Sequence, residues 1–392
     1  MSISRKIAGF MDKGSWIRRM FEEGNILKAR YGVKNVYDFS LGNPKLPPPP
    51  AFQERLRQVV MENAPGCHAY MPNAGYKETR DAVAAYLSNE HGQPFTGQDI
   101  VMTCGAAGAI NTALKAILDP GDEVIIIAPY FAEYTFYIDN HNGVCRIVPS
   151  RPDFLLDVKA IDAAITPRTK AILINSPNNP TGQVYPADNV RELADMLKAR
   201  AKGQTIYLIA DEPYRKIVYD GTVVPSLFAY WPETILATSH SKDISIPGER
   251  IGYLAVHPAA ADKQELLAAI TFCNRILGFV NAPAIMQHVI RYTQGLTADL
   301  GEYARKRDLI CNGLRQAGYE FVKPKGAFYL FPRSPIADEV VFIRKLAEER
   351  ILTVPGSGFG VPGYFRISFC VDDCVIEKAL PGFAKVLNSV RG

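Results

Sequence analysis

Apolar residues along this chain gather into short uninterrupted runs, with amphipathic stretches between them. The runs Asp99–Thr103, Glu123–Ala128, Ala171–Asn175, Ile206–Ala210, Ile235–Thr238 and Ile251–Val256 are apolar at nearly every position rather than at alternate ones. A strand of that kind has both faces covered, as in a parallel sheet between helices. Ala106–Leu118 and Val190–Lys202 carry the intervening helical pattern. Alternating strands and helices predict an α/β domain. From about Ala284 the pattern changes to long helices over Ala298–Ala317, Asp338–Arg350 and from Cys374 onward. Short strands are expected there at Tyr319–Val322, Phe328–Phe331, Ile351–Val354 and Phe365–Phe369. At the other end come an amphipathic helix, Trp16–Tyr31, a short strand, Tyr37–Leu41, and the run Pro47–Pro50. Four prolines make a stiff, extended connector that enters neither a helix nor a central strand. The expectation is a large domain over 47–285 with a mostly parallel central sheet. A smaller α+β domain is expected from 1–46 and 286–392.

A chain of 392 residues suits two or three domains. With 47% hydrophobic and 21% charged residues it reads as globular, neither disordered nor collagen-like. A formal charge of +4 spread over this length is a weak field. Arg18-Arg19 and Arg305-Lys306-Arg307 are short and read as solvated helix faces, so no nucleic-acid partner is expected. The seven cysteines are scattered without a CxxC, so neither a disulfide framework nor a metal site is expected, and a reducing cytoplasm fits. No stretch approaches the roughly 18 apolar residues of a membrane span, and the basic start lacks a signal-peptide core.

Ligands of open α/β sheets bind beyond the carboxyl ends of the strands, so the residues just after each apolar run are the informative ones. Gly105-Ala106-Ala107-Gly108 opens a helix and reads either as an anion cradle or as a plain tight turn. It is not GxGxxG, so a dinucleotide is disfavoured. Ser176 to Gly182 forms a rigid loop that fixes an amide side chain. Asp211 directly ends an apolar run and calls for a cation, unless it caps a helix or joins a salt bridge. Ser239-His240-Ser241-Lys242 follows the next run, with Arg250 just ahead of another. One histidine and no GxSxG leave a serine triad unsupported. A lysine, an aspartate and a phosphate cradle together suit pyridoxal phosphate, with the lysine as Schiff-base former and the aspartate on the pyridine nitrogen.

At these residues the sequence resembles the class I/II aminotransferases, the aspartate aminotransferase-like, fold-type I pyridoxal phosphate enzymes. The resemblance is carried, in the family's order, by Leu41-Gly42-Asn43-Pro44, Tyr70 with Pro72 to Gly75, Gly105 to Gly108, Pro129-Tyr130-Phe131, Asn178 to Gly182, Asp211 to Tyr214, Ser239 to Lys242, Gly248 to Gly252 and Phe365 to Ser368. It implies that Lys242 forms the Schiff base with pyridoxal 5′-phosphate and that Asp211 pairs with the pyridinium nitrogen. Asn179 and Tyr214 would bond the ring O3′, and Phe131 would stack on the ring. Ser239, Ser241, Arg250 and the amides of Ala106 and Ala107 would hold the phosphate, with Tyr70 reaching it from the partner subunit. Arg366 would fork onto the substrate α-carboxylate, helped by Asn179 and the backbone of Gly42. Amino-acid and 2-oxo-acid substrates, ping-pong kinetics and a homodimer with shared sites are implied too.

Two departures from the family pattern stand out, the first of which bears on substrate. Many prokaryotic aspartate-specific relatives carry a lysine in the segment occupied here by Ala106-Ala107-Gly108, and this chain has none; Arg275 is a candidate substitute. Glu249 stands where many relatives have a neutral residue. Trp16, Ile17, Tyr70 and Phe279 are candidates for the side-chain pocket. Aspartate, aromatic and neutral donors stay open. The rivals are a β-lyase on the same scaffold and, from another class, a non-catalytic cofactor-binding regulatory domain.

Overall fold

The structure is a computed structural model that describes residues 2–13, 16–200 and 203–391, without the side chains of 12, 13, 16–19 and 21. Trp16 and Ile17 as pocket residues, and the expected helix end at Lys202, therefore fall outside the described residues. After the helix Trp16–Tyr31, the first strand shortens to β1 (Tyr37–Asp38). The proline run ends differently from the expectation, because Pro50 is the first residue of a helix, Pro50–Glu62. Proline suits that position: the first helical N–H has no intrahelical partner to lose. This helix and the next, Lys77–His91, each bury a narrow stripe (Phe52 and Val59; Val83, Ala84 and Leu87), which is why the sequence pattern does not announce them.

The central sheet contains β2 (Ile100–Thr103), β3 (Glu123–Ala128), β4 (Val144–Pro149), β5 (Thr169–Asn175), β6 (Tyr207–Asp211), β7 (Thr234–Ser239) and β8 (Gly252–Val256). Its order is β2-β8-β7-β6-β5-β3-β4. β8 runs antiparallel to both neighbours, and every other pairing is parallel. The unforeseen strand, β4, is an edge with most residues exposed, so it lacks a continuous apolar run. Alternate residues feed two cores. Ile125, Ile172 and Leu208 meet Leu87, Val190 and Leu193 on one face. Ile126, Leu173 and Ile209 meet Ala109, Ile110, Leu114 and Ile270 on the other. Each such Ile, Leu or Val side chain contributes about 1.5–3 kcal/mol by leaving water.

A third core gathers Phe39, Phe328, Phe365 and Phe383. Around it lie β9 (Tyr329–Leu330), β10 (Ile351–Leu352), β11 (Val354–Pro355) and β12 (Phe365–Ser368), with the helices Leu300–Ala317, Glu339–Glu348 and Asp373–Arg391. β12 pairs antiparallel with β11 and β9, and β1 pairs parallel with β10. Tyr319–Val322 is not a strand. Gly318 ends its helix in the left-handed region at φ 100°, and Tyr319 then packs its ring on Phe342, Phe365 and Phe383. Met286, Val289 and Ile290, which follow residue 285, pack into the first core of the sheet, and Leu300 packs on the third.

Candidate active site

The ends of adjacent strands build the floor of the site. Register sets Asn175 beside Asp211, and Asp211 beside Ala237 two residues before Ser239. Asn175 Nδ2 donates to the Asp211 carbonyl at 2.8 Å, and Asn175 Oδ1 accepts the Asn179 N–H at 2.7 Å. The Tyr134 hydroxyl donates to Asp211 Oδ2. Asp211 Oδ1 is buried and has no partner among the described residues. Burial pushes the Asp211 carboxyl up to about 7, with the neighbouring Glu212 adding to the rise and Tyr134 opposing it.

One end of the cavity is arranged for an anion. Gly105 opens the helix Gly105–Ile117 at φ +74°, and a Cβ there would lie 3.0 Å from Arg250 Nη2. Glycine thus lets the guanidinium lie against the helix start, where the first-turn amides of Ala106 and Ala107 have no intrahelical acceptor. Arg250 Nη1 also donates to the Pro247 carbonyl at 2.8 Å. The Ser239 and Ser241 hydroxyls are 3.1 Å apart and line the same end.

Lys242 lies between that end and Arg366. Its Nζ donates to the Gly42 carbonyl at 2.6 Å. Burial lowers the amine to about 8; nearby Cys370 opposes the shift, and Arg366 and Arg250 add to it. Arg366, on β12, is 2% exposed. Nη1 donates to Asn179 Oδ1 at 3.0 Å and Nη2 to the Ser40 carbonyl at 2.5 Å, while Nε has no partner among the described residues. The guanidinium carbon sits 4.7 Å from the Tyr329 ring and 4.8 Å from that of Phe359. Burial lowers the Arg366 pKa. Tyr214 and Tyr329 face each other with hydroxyls 2.9 Å apart.

Gly42, Ala106, Ala107, Phe131, Asn179, Asp211, Tyr214, Ser239, Ser241, Lys242, Arg250 and Arg366 line one cavity of about 240 Å³. Tyr70 does not; it is 90% exposed on the outside of the chain. Arg275 lines a separate surface groove and stacks on Phe272 at 5.1 Å, and Glu249 lies in an exposed turn. His240 faces a smaller neighbouring cavity, with Nδ1 3.2 Å from Asp243. Asn175, Tyr134, Tyr137 and Tyr329 were not foreseen. Asn175 carried a signal, as the last residue of an apolar run; the three tyrosines carried none. Among the described residues, no group of three His, Cys, Asp or Glu could hold a metal, and no helix is long and apolar enough to cross a membrane.

A buried amine of lowered pKa, an acid with a free oxygen, a guanidinium without a carboxylate and an anion cradle can together bind an amino acid beside an anionic cofactor. Known proteins resemble this chain over nearly its whole length. A probable aspartate/prephenate aminotransferase of Thermus aquaticus is 36% identical over 92% of this chain and 93% of its own. An aromatic-amino-acid aminotransferase of Thermococcus litoralis is 30% identical over 96% of both chains. The crystal structure of an aminotransferase from Eubacterium rectale superposes with a TM-score of 0.96 at 40% identity, covering 100% of both chains. Residues 34–382 match the family described as aminotransferase class I and II, whose members depend on pyridoxal phosphate. The chain therefore belongs to the class I and II aminotransferases and is a transaminase.

Proposed function

We propose that this chain acts as a homodimer that binds pyridoxal 5′-phosphate at Lys242 and moves the amino group of an L-amino acid to a 2-oxo acid. The observation that carries the reading is the pair of unpartnered buried groups in one cavity, Asp211 Oδ1 and Arg366 Nε. A buried charged group left unpaired is strongly unfavourable, so each calls for a ligand of opposite charge. The residues fit the cofactor: Asp211 offers its free oxygen to a ring N–H, and the Gly105–Arg250 contact leaves a cradle for a phosphate.

When bound, the cofactor supplies an aldehyde that takes the amino group and a protonated ring that accepts electrons from Cα. The chain supplies the rest. Ser239, Ser241, Arg250 and the amides of Ala106 and Ala107 hold the phosphate. Phe131 covers one face of the ring, and Asn179 and Tyr214 bond its hydroxyl oxygen. Arg366 orients the α-carboxylate by a fork that lysine could not form. Lys242, lowered to about 8, can exchange a proton near neutral pH and serves as the base at the substrate Cα. Exposed Tyr70 is assigned to the phosphate of the partner subunit's site. The two-body division expected from the sequence is retained, with its second junction moved to the stretch between Leu296 and Leu300. Free thiols, the exposed Cys374 among them, suit the cytoplasm.

For substrate, the relatives' names support aspartate, prephenate and aromatic amino acids as first candidates. With Arg275 outside the cavity, no cation among the described residues of this chain is assigned to a distal carboxylate, which weakens a dicarboxylate preference without removing it. The test mixes cofactor-loaded protein with single amino acids in the absence of any 2-oxo acid. One stoichiometric equivalent of 2-oxo acid per site, with no ammonia, supports transamination. Pyruvate and ammonia in repeated turnover would assign a β-lyase instead. Arg366, which retains the carboxylate, is compatible with either outcome.

A further inference from the structure

We propose that Tyr329 is a positioning residue: its hydroxyl, acting through Tyr214, tunes the acidity of the cofactor linkage at Lys242. The inference rests on the reading that this cavity holds pyridoxal 5′-phosphate. Tyr329 belongs to β9 and Tyr214 to the segment after β6, and they meet hydroxyl to hydroxyl at 2.9 Å. Both are enclosed, 2% and 5% exposed, and their rings stand edge to face at 82°. Phe328 packs edge-on against Tyr214 at 5.4 Å, so neither ring is free to swing away. The approach is close: a Cβ on Gly42 would lie 1.9 Å from the Tyr329 hydroxyl. The carbonyl of that same Gly42 accepts the Lys242 amine.

A phenol has one proton. Once the Tyr214 hydroxyl donates its hydrogen bond to the oxygen of the bound ring, Tyr214 Oη can only accept from other groups. Tyr329 is the one donor to it among the described residues. A hydrogen bond into a phenol oxygen polarises that phenol and strengthens the bond it donates onward. Tyr329 therefore strengthens the hold of Tyr214 on the ring oxygen in its anionic form. That favours loss of the linkage proton and lowers the pH at which the linkage titrates. The other charged or titratable groups facing the pair are Arg366 on β12, Lys242 after β7, Asp211 at the end of β6, Glu133 and Tyr134 at the start of the helix Tyr134–Asn140, Tyr303 on the helix Leu300–Ala317, and Cys370 after β12. Replacing tyrosine by phenylalanine at 329 leaves all of them in place.

The experiment follows the visible absorbance of cofactor-loaded protein against pH for wild type, Tyr329→Phe, Tyr214→Phe and the double variant. Tyr329→Phe should move the midpoint upward by about half to one pH unit, the equivalent of one net hydrogen bond. Tyr214→Phe should move it further. In the Tyr214→Phe background, adding Tyr329→Phe should move nothing, because the relay is already gone. An unmoved midpoint in Tyr329→Phe, or the same shift in both backgrounds, overturns the inference. If wild type gains no lysine-dependent visible band, as judged against Lys242→Ala, the reading beneath it fails, and that result is distinct from an unmoved midpoint.

Discussion

Two buried carboxylates stand at opposite ends of one sheet and are treated in opposite ways. Glu123 opens β3 and accepts from Arg146 at 2.6 Å, Arg168 at 3.2 Å and Thr166 at 2.7 Å. The Arg146 hydrogen bond, with help from Thr166 and Arg168, holds its carboxyl below the usual range in spite of burial. Asp211 closes β6 with a single phenol for company and is pushed up to about 7. The buried arginines repeat the contrast. Arg307 forks onto Asp220 at 2.8 and 3.0 Å, and its acid partners outweigh burial to raise its pKa. Arg366 finds only a neutral amide and a carbonyl, and burial lowers it. Glu123 and Arg307 are satisfied by the fold; Asp211 and Arg366 are left for what the fold binds.

The arginines should separate most widely. Arg366→Ala should raise the KM for amino acid by the 2–5 kcal/mol typical of a severed charged contact, about 30- to several thousand-fold, in steady-state kinetics. Arg307→Ala should leave KM unchanged and destabilise the chain by about 1.5–3 kcal/mol in denaturant unfolding, because it removes a buried side chain and its charged hydrogen bonds to Asp220. If both variants lose mainly stability, the contrast is false.

The acids come next. In cofactor-free protein, Glu123→Gln should lose about 1–3 kcal/mol of unfolding free energy, while Asp211→Asn should be neutral or stabilising. Equal losses would make Asp211 structural.

A pH series sharpens the same pair. Asp211 titrates at about 7 when folded against an ordinary 3.8 in the unfolded chain, so across that window the folded chain holds the extra proton. Its contribution therefore favours folding at low pH and declines as pH rises through the window. Glu123 does the reverse: its contribution is present above the ordinary carboxylate value and lost as pH falls through its lowered one. The stability of wild type relative to Asp211→Asn should fall between about pH 4 and 7 and level off above; a flat difference would break the assignment.

The smallest effect is expected at Tyr70. Tyr70→Phe should leave unfolding free energy within about 0.5 kcal/mol while loosening the cofactor several-fold in equilibrium dialysis.

The sheet was legible because its strands are uninterrupted apolar runs, and Asp211 and Ser239 were legible because those runs stop at them, with Lys242 three residues further on. Edge strand β4 and the helices Pro50–Glu62 and Lys77–His91 escaped, since each buries only part of its surface. Pro50 shows a sharper failure: a residue read as a break in structure is where a helix begins. In the site, Gly42 and Arg366 have no local signature. Arg366 meets Ser40 across almost the whole chain, and only the family resemblance singled it out. Tyr134 and Tyr329 matter through one hydroxyl each, and no periodicity marks a hydroxyl that meets its partner far along the chain.

The segment that carries Gly42 has a further consequence, for biosynthesis. Tyr37 donates to the carbonyl of Arg350 and Phe39 to that of Leu352, while Ser368 donates back to Phe39. Each of these partners lies more than 300 residues further along the chain. At 5–20 residues per second, a ribosome leaves Phe39 without its native neighbours for roughly a quarter of a minute to a minute. During that interval the segment Tyr37–Phe39 waits without its partner strands although Ala106, Asp211 and Lys242 are already made, so the cavity is completed only when β10 and β12 arrive.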